Sequence, residues 1–188
     1  MAGLDCSSGA SRYTFRFDDV CANADLEHID VITELLHYRF SGARILHCIS
    51  PMVHKGCGER VFPAILNAHS DFRKFYEVDD CRLPPCNPLA ERASHGLIHV
   101  DHRLLDFSAQ EMSILTSCSL TKSRVFCPPF NKWNRDTESI CYEHGIELIK
   151  FEDGWKCVEY NGFDPSHKLW YLHAREFSFE WSKKWVEC

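Results

Sequence analysis

The sequence predicts a single α/β domain built on a mostly parallel sheet. Strand-like apolar runs alternate with stretches of helical periodicity along the chain, which is the pattern of strand–helix–strand crossovers. The length of 188 residues suits one domain with a substantial core. A hydrophobic content of 45%, with 13% aromatic residues, is typical of a folded globular protein. We therefore expect residues 1–188 to form one domain.

The first half of the chain alternates between strand and helix patterns. The aromatic and β-branched run SRYTFRFDD (11–19) predicts a strand that ends in Asp18 and Asp19. Residues 24–40 carry apolar side chains at positions 26, 29, 32, 35 and 36, which is helical spacing. ARILHCIS (43–50) predicts a second strand, residues 63–77 predict a short helix, and the proline-rich residues 79–93 predict a loop.

The second half continues the alternation. SAQEMSILTSC (108–118) predicts a helix with Ser108 as N-cap and Glu111 at the third position, a capping box. SRVFCPP (123–129) predicts a strand stopped by two prolines, and residues 134–145 predict a helix that ends at a glycine. The remaining patterns predict three strands and a closing helix, over 146–152, 154–160, 168–174 and 178–187.

The segment SHGLIHVDHR (94–103) places His95, His99 and His102 close together in the chain. On a strand, His95 and His99 would lie roughly 13 Å apart at ~3.3 Å per residue, too far to share an ion whose nitrogen bonds are about 2.0–2.1 Å. On a helix or tight turn, positions i and i+4 lie about 5–6 Å apart. The apolar GLIHV favours a buried strand, so the two interpretations compete. A strand up to His95 followed by a turn is one compromise.

Charge and hydropathy argue against two classes of partner. The net charge is −6, the pI is about 6.0, and no basic run is present, so we expect no nucleic-acid binding. No stretch approaches ~18 consecutive apolar residues, so we expect no membrane span. The N-terminal sequence lacks a charged region followed by an apolar one, which predicts no signal peptide and a cytoplasmic location.

The chain contains eleven cysteines, an odd and high number. Without a targeting segment, we expect them to be reduced and mostly buried, as small hydrophobic side chains. The alternative is an interaction module held by a structural zinc site, although the spacings fit zinc poorly. That site would use Cys48, Cys57, Cys81 and Cys86.

Polar residues gather where four of the predicted strands end. Asp18 and Asp19 end the first strand, His95 lies at another candidate end, PPFNKW (128–133) follows a third, and His173 ends a fourth. In parallel α/β folds the functional site lies at the C-terminal ends of the strands. The sequence therefore predicts a site that combines carboxylates and imidazoles at one edge of the sheet.

Four short motifs in this set resemble those of the polysaccharide deacetylases, the NodB-homology domains of carbohydrate esterase family 4. FDDV (17–20) resembles the family's Thr-Phe-Asp-Asp-Gly motif, and HGLIH (95–99) resembles its His-x-x-x-His motif. CPPFNKW (127–133) resembles Arg-x-Pro-Tyr, and LHARE (172–176) resembles the closing Leu-x-His element. The motifs occur in the family's order. The resemblance implies an irregular or incomplete (β/α) barrel of mostly parallel strands.

The resemblance also implies a metal site and a reaction. Asp19, His95 and His99 would bind a divalent metal ion, with zinc expected and nickel, cobalt or iron as alternatives. Asp18 would be the general base toward a metal-activated water, and His173 would protonate the departing amine. The implied activity is removal of an acyl group, such as acetyl, from an N-acylated sugar or polysaccharide intermediate in polysaccharide biosynthesis.

Further residues receive supporting roles from the same resemblance. A backbone N–H near Phe130 would stabilise the oxyanion, and Phe130 and Trp133 would contact the carbohydrate. Either Glu152 or Asp153 would orient His173. The residues alone leave His102 and Asp101 open: either would be a supporting partner that orients a metal ligand, or Asp101 would pair with Arg103 at the surface.

This chain departs from the family's motifs at four positions, which are Val20, Gly96, Cys127 and Phe130. The third departure matters most, because the resemblance implies an arginine at that position that anchors the base aspartate. Asp18 therefore loses its expected charge partner unless another arginine substitutes, and the candidates are Arg16, Arg124 and Arg175. The alternative function is a catalytically degenerate protein that binds metal and a sugar or partner without hydrolysis. The sequence does not predict the oligomeric state.

Overall fold

The residues that the structure describes form a sheet of seven strands that all run parallel. We describe a computed structural model over residues 13–21, 24–51, 83, 85, 87–151, 154–162, 164 and 166–174. The strands are β1 (Thr14–Val20), β2 (Arg44–Ile49), β3 (Glu91–Ser94), β4 (Val125–Phe126), β5 (Glu147–Leu148), β6 (Lys156–Cys157) and β7 (Leu169–His173). The helices are α1 (Leu26–Arg39), α2 (Phe107–Thr121), α3 (Arg135–Glu143) and α4 (Val158–Asn161).

The strand order β5-β4-β3-β2-β1-β7-β6 places β1 in the interior of the sheet. The sheet curls into a half-barrel with flanking helices, so the predicted incomplete (β/α) barrel is confirmed. Because every strand runs the same way, all carboxyl ends lie at one edge. Along that edge β1 lies between β2 and β7, and Asp18 is the register partner of His173.

The two faces of β1 bury different kinds of side chain. Phe15 and Phe17 are fully buried on the face that packs against Ile29, Ile32 and Leu36 of α1. Arg16 lies on the opposite, concave face, where its register partners are Leu46 on β2 and Tyr171 on β7. The concave face also holds a second apolar cluster, formed by Leu46, Cys48, Ala93, Val125, Cys127, Ile149, Trp155, Cys157 and Tyr171.

The start of α2 corrects a prediction. Ser108 is not its N-cap: the helix begins at Phe107, and the Asp106 carboxylate accepts a hydrogen bond of 2.8 Å from the Ala109 N–H. The residue before a helix must be extended for its side chain to reach back to the first free N–H groups, and Asp106 has φ −69° and ψ 168°. Ser108 lies inside the first turn. The N-caps of α1 and α3 are Asp25 and Asn134, and Asn134 forms a capping box with Thr137.

Several predicted strands are shorter than their patterns. The strand predicted over 123–129 is reduced to β4, the described part of 146–152 (residues 146–151) contributes the short strand β5, and 154–160 contains β6 followed by the start of α4. Conversely, β3 begins inside the predicted loop 79–93, because Glu91 pairs with Arg44 and Ala93 is buried between β2 and β4. The predicted helices over 63–77 and 178–187 lie outside the described residues.

The described residues bear on the expected membrane span and on the cysteines. None of the described helices has the length and apolar character needed to cross a membrane. Six cysteines in the described ranges are buried free thiols, as expected. They include Cys48, whereas the other three members of the alternative zinc site, Cys57, Cys81 and Cys86, lie outside those ranges.

The corrected N-cap generates a stability prediction. Replacing Asp106 with alanine removes the acceptor for the Ala109 N–H and should lower the free energy of unfolding by about 1 kcal/mol. Ser108→Ala is the matched control, because Ser108 is exposed within the first turn and should change stability by less than ~0.5 kcal/mol. Urea unfolding of both variants measures the difference. A larger loss for Ser108→Ala than for Asp106→Ala would contradict this assignment.

Candidate metal centre

The end of β1 places two consecutive carboxylates close to the same site. Side chains of successive residues in a regular strand point to opposite faces. Here the pairing of β1 with β2 shifts between Phe17 and Val20, and Asp19 has a left-handed backbone with φ 60°. Aspartate tolerates this conformation better than most residues. The irregularity redirects Asp19 toward the histidine segment, while Asp18 keeps its register with β7.

The histidine segment begins with β3 and then turns. β3 ends at Ser94, His95 donates its backbone N–H to Ile49 at 2.8 Å, and Gly96 follows with φ 79°. The chain then folds back, so the ring centroids of His95 and His99 lie 5.1 Å apart. The compromise of a strand up to His95 followed by a turn is thus the conformation observed.

Three side chains converge at this edge. The Oδ1 atom of Asp19 lies 3.0 Å from Nε2 of His99 and 3.7 Å from Nε2 of His95. One donor atom from each of the three residues lies within 4.8 Å of the other two. One carboxylate and two imidazoles match the donor sets that divalent transition metals accept, with further positions left for other ligands. The residues present therefore fit a divalent cation.

The His95 ring is oriented by a backbone acceptor. Its Nδ1 lies 2.7 Å from the carbonyl oxygen of Cys127, and because a carbonyl only accepts, Nδ1 carries the proton. Nε2 then presents its lone pair toward Asp19, as a metal ligand must. The His95 side chain is only 2% exposed, so its orientation is fixed by packing as well as by this bond.

Exposure increases from His95 toward Phe130. The side chains of Asp19 and His99 are 15% and 27% exposed. The Phe130 ring lies 4.3 Å from the His99 ring, centroid to centroid, and Phe130 is 56% exposed. Solvent therefore approaches the three donors from the side of His99 and Phe130. Trp133, in the same segment, is half-buried, and its indole N–H donates to Glu138.

Asp18 has an arginine partner, and it is the one in its own strand. Nη2 of Arg16 donates to Oδ2 of Asp18 at 2.7 Å, and both side chains are buried. The same guanidinium donates to the Asn131 side chain. Of the other two candidates, Arg124 donates to the carbonyl of His144 at the end of α3. Arg175 lies outside the described residues.

His173 is half-buried at the end of β7. As the register partner of Asp18 it lies on the adjacent strand, and its ring stands edge-on to Tyr171 at a centroid distance of 5.5 Å. The two residues predicted to orient it, Glu152 and Asp153, lie outside the described residues. The parallel pairing of β1 and β7 thus places His173 beside Asp18.

His102 supports the turn through both ring nitrogens. Nδ1 lies 3.0 Å from the Val100 carbonyl, and Nε2 lies 3.1 Å from the Ser113 hydroxyl on α2. Burial lowers its pKa to about 4, so the ring is neutral at physiological pH. These bonds tie the segment that carries His99 to α2, so the ring holds the turn that carries the ligands.

Sequence reasoning missed two groups that orient the site, the Cys127 carbonyl and the Asn131 side chain. A backbone carbonyl leaves no signal in side-chain patterns. The asparagine itself was a weak signal, because asparagine is enriched in the left-handed backbone conformation. Phe130 and Asn131 both adopt that conformation, each with φ 56°.

Solved structures of other proteins share this fold. A CE4 family pseudoenzyme from Bacillus anthracis aligns with a TM-score of 0.54 and 9% identity over 96% of this chain. A family 4 carbohydrate esterase from Streptomyces lividans, solved in complex with acetate, aligns with a TM-score of 0.52 and 11% identity over 94% of this chain. This chain spans 62% of the first protein's length and 84% of the second's.

No protein-family model and no curated protein sequence matches the chain. The likenesses to the solved structures show the fold, which is that of the family 4 carbohydrate esterases, and so agree with the resemblance seen in the motifs.

The tight turn after His95 generates a prediction for Gly96. A Cβ at this position would lie 2.8 Å from Cε1 of His102 and 3.1 Å from the Ile98 carbonyl, and φ is positive. Gly96→Ala should therefore lower the free energy of unfolding by about 1–3 kcal/mol.

Gly42→Ala is the matched control for that variant. Gly42 also has a positive φ, of 81°, but a Cβ there would have no heavy atom within 4 Å. Gly42→Ala should lower the free energy of unfolding only by the cost of placing alanine at a positive φ, roughly 1 kcal/mol. Thermal unfolding of both variants measures the excess at Gly96. Equal losses would mean that the turn tolerates the added methyl group.

Proposed function

We propose that this protein is a metal-dependent hydrolase that removes an acyl group, such as acetyl, from an N-acylated sugar or polysaccharide intermediate. One observation carries the proposal: Asp19, His95 and His99 converge at the edge of the sheet where Asp18 and His173 pair near the carboxyl ends of neighbouring strands. Metal donors, a second carboxylate and a third imidazole are the groups that amide hydrolysis by activated water requires.

Asp19, His95 and His99 would hold the divalent ion, and zinc suits this donor set, although nickel, cobalt or iron would also bind. When bound, such an ion lowers the pKa of a coordinated water and polarises an amide carbonyl. The Cys127 carbonyl keeps His95 in the tautomer that binds, and the half-exposed His99 borders the solvent side. The substrate would approach from that side.

Asp18 is the proposed general base. Its Oδ2 is held by Arg16, whereas its buried Oδ1 has no hydrogen-bond partner among the described residues. One oxygen is thus fixed and the other remains available to accept a proton from the attacking water. His173, on the adjacent strand, would give a proton to the departing amine.

The segment with Phe130 supplies the remaining groups. The left-handed backbone of Phe130 and Asn131 forms a sharp turn next to His99, and a backbone N–H of this turn would stabilise the oxyanion. The exposed face of Phe130, together with the half-buried Trp133, offers aromatic surface for a sugar ring. A cytoplasmic protein of this kind would act on nucleotide-linked or lipid-linked sugars in polysaccharide biosynthesis.

The second candidate function is binding without hydrolysis. It is favoured by Cys127, which stands where the resembled motif has an arginine, and by Val20 in place of glycine. These departures affect the surroundings of Asp18 more than the three metal donors. A protein of this type would bind metal and a sugar or partner but would release no acetate.

Metal content tests the donor set. The protein purified without chelators should contain one divalent ion per chain by elemental analysis, and both His95→Ala and His99→Ala should lose most of it. His144→Ala is the control, because His144 contacts Glu111 on the surface and should leave the metal content unchanged. The assignment would be refuted by a wild-type protein that binds no divalent ion, or by a His95→Ala/His99→Ala double variant that still binds one.

Acetate release separates the two functions. With N-acetylated amino-sugar oligomers and sugar nucleotides as substrates, Asp18→Asn should lower kcat by about 10²–10⁴-fold, because the general base is removed. Its metal content should stay the same. Asp136→Asn, an exposed carboxylate in the first turn of α3, serves as the control with unchanged kcat. Metal-loaded wild-type protein that binds such sugars but releases no acetate would favour the binding function.

A further inference from the structure

Arg16 occupies an unusual position for a charged side chain. It lies in the middle of β1 between two fully buried phenylalanines and is itself 0% exposed. Its side chain enters the concave face of the half-barrel, among the cluster that contains Trp155 and Tyr171. Burying a guanidinium in apolar surroundings is unfavourable unless charge and hydrogen-bond partners compensate, so the partners of Arg16 indicate what it does.

The guanidinium is held by four groups. It donates to Asp18 at 2.7 Å and to the Asn131 side chain, and its central carbon lies 4.9 Å from the Trp155 ring and 5.1 Å from the Tyr171 ring, measured to the centroids. The aromatic faces stabilise the cation and restrict its motion. Since strand positions i and i+2 share a face, Arg16 reaches Asp18 without distorting β1.

The charge of Arg16 is secure in this environment. Burial lowers the pKa of the guanidinium, but the Asp18 carboxylate and its hydrogen bond raise it, and the net shift is upward. The group that faces Asp18 is therefore cationic at every pH at which the protein would work.

The residue at position 127 fits this arrangement. Cys127 is fully buried on the concave face, and its thiol and that of Cys48 lie within electrostatic range of the guanidinium. An arginine at 127 would bring a second guanidinium into the space beside Arg16, with Asp18 as the carboxylate available to both. The small cysteine side chain leaves that space to Arg16. Arginine at 16 and cysteine at 127 therefore form a compatible pair.

We propose that Arg16 is the positioning residue of Asp18, supplying from within β1 the charge partner that the segment around Cys127 lacks. It fixes one carboxylate oxygen and, through Asn131, fixes the Phe130 turn relative to that carboxylate. This inference rests on the proposed hydrolysis for its kinetic consequence. The geometric consequence, a single orientation of Asp18, does not depend on it.

The principal variant is Arg16→Met, which keeps an unbranched side chain but removes the planar guanidinium fork. kcat for acetate release should fall on the order of 10²-fold, as expected when a reacting group is misplaced, with KM and metal content unchanged. Arg16→Lys keeps the charge without the planar fork and should recover part of kcat. Arg44→Met is the matched control, since Arg44 bridges Glu91 and Glu147 at the other edge of the sheet and should leave kcat unchanged.

The relocation variant gives the sharpest test. In Arg16→Met/Cys127→Arg the new arginine enters the space vacated by the old one, and kcat should rise at least tenfold above that of Arg16→Met. It also covers the case in which Arg16→Met does not fold, because kcat of the double variant and of Arg16→Lys can be compared with wild type. An Arg16→Met or Arg16→Lys protein with wild-type kcat would overturn the proposal. A relocation variant that folds but gains no activity over Arg16→Met would also overturn it.

Crystal structures of the wild-type and Arg16→Lys proteins provide a readout that needs no activity. The proposal requires the Asp18 carboxylate to change orientation in Arg16→Lys while Asp19, His95 and His99 keep theirs. An unmoved Asp18 would overturn the positioning role. Absence of acetate release by wild-type protein would count against the proposed function alone, and the orientation of Asp18 would still decide this inference.

Discussion

At the carboxyl end of β1, an interior strand of the parallel sheet, the backbone becomes left-handed at Asp19. A regular strand would have separated Asp18 and Asp19 onto opposite faces. With the irregularity, Asp19 approaches His95 and His99, and Asp18 remains opposite His173. The arrangement works only because β1 is held on both sides, by β2 and β7, so the local cost of the unusual backbone is met by pairing that cannot easily shift.

The concave face of the half-barrel contains charge where an apolar layer would pack more simply. A buried ion pair is weak support for stability, since desolvation offsets much of the attraction, and an apolar pair of the same volume often serves as well. Arg16 and Asp18 nevertheless lie there with two aromatic rings around the cation. Such an arrangement is better explained by the orientation it imposes on Asp18 than by stability. The ion pairs of Arg44 with Glu91 and Glu147 lie at the amino ends of the strands, are partly exposed, and orient no residue of the candidate site.

The sequence anticipated the parallel sheet because it follows from a local pattern, whereas the residues that converge at its edge were implied by the motif resemblance. Strand and helix alternation predicts parallel strands, and the distance argument for His95 and His99 required the turn that is present. It failed where tertiary contacts decide. β3 forms inside a proline-rich segment because β2 and β4 offer free edges, and the cap of α2 is Asp106 because the chain arrives there extended. Arg16 was one of three candidates, and only the strand geometry selects it.

The segment from Cys127 to Asn131 shows why a motif can lose its most characteristic side chain. The backbone carbonyl of Cys127 orients His95, and the Phe130 ring contacts His99. The side-chain oxygen of Asn131 accepts a hydrogen bond from Arg16. The first of these contacts is made by main-chain atoms and survives almost any substitution at position 127. A small side chain there does not disturb His95, and it leaves room on the concave face that Arg16 of β1 can fill. One segment therefore supports both the metal donors and the proposed base, but through different atoms. The Cys127 carbonyl orients His95, and the Asn131 side chain holds Arg16 beside Asp18.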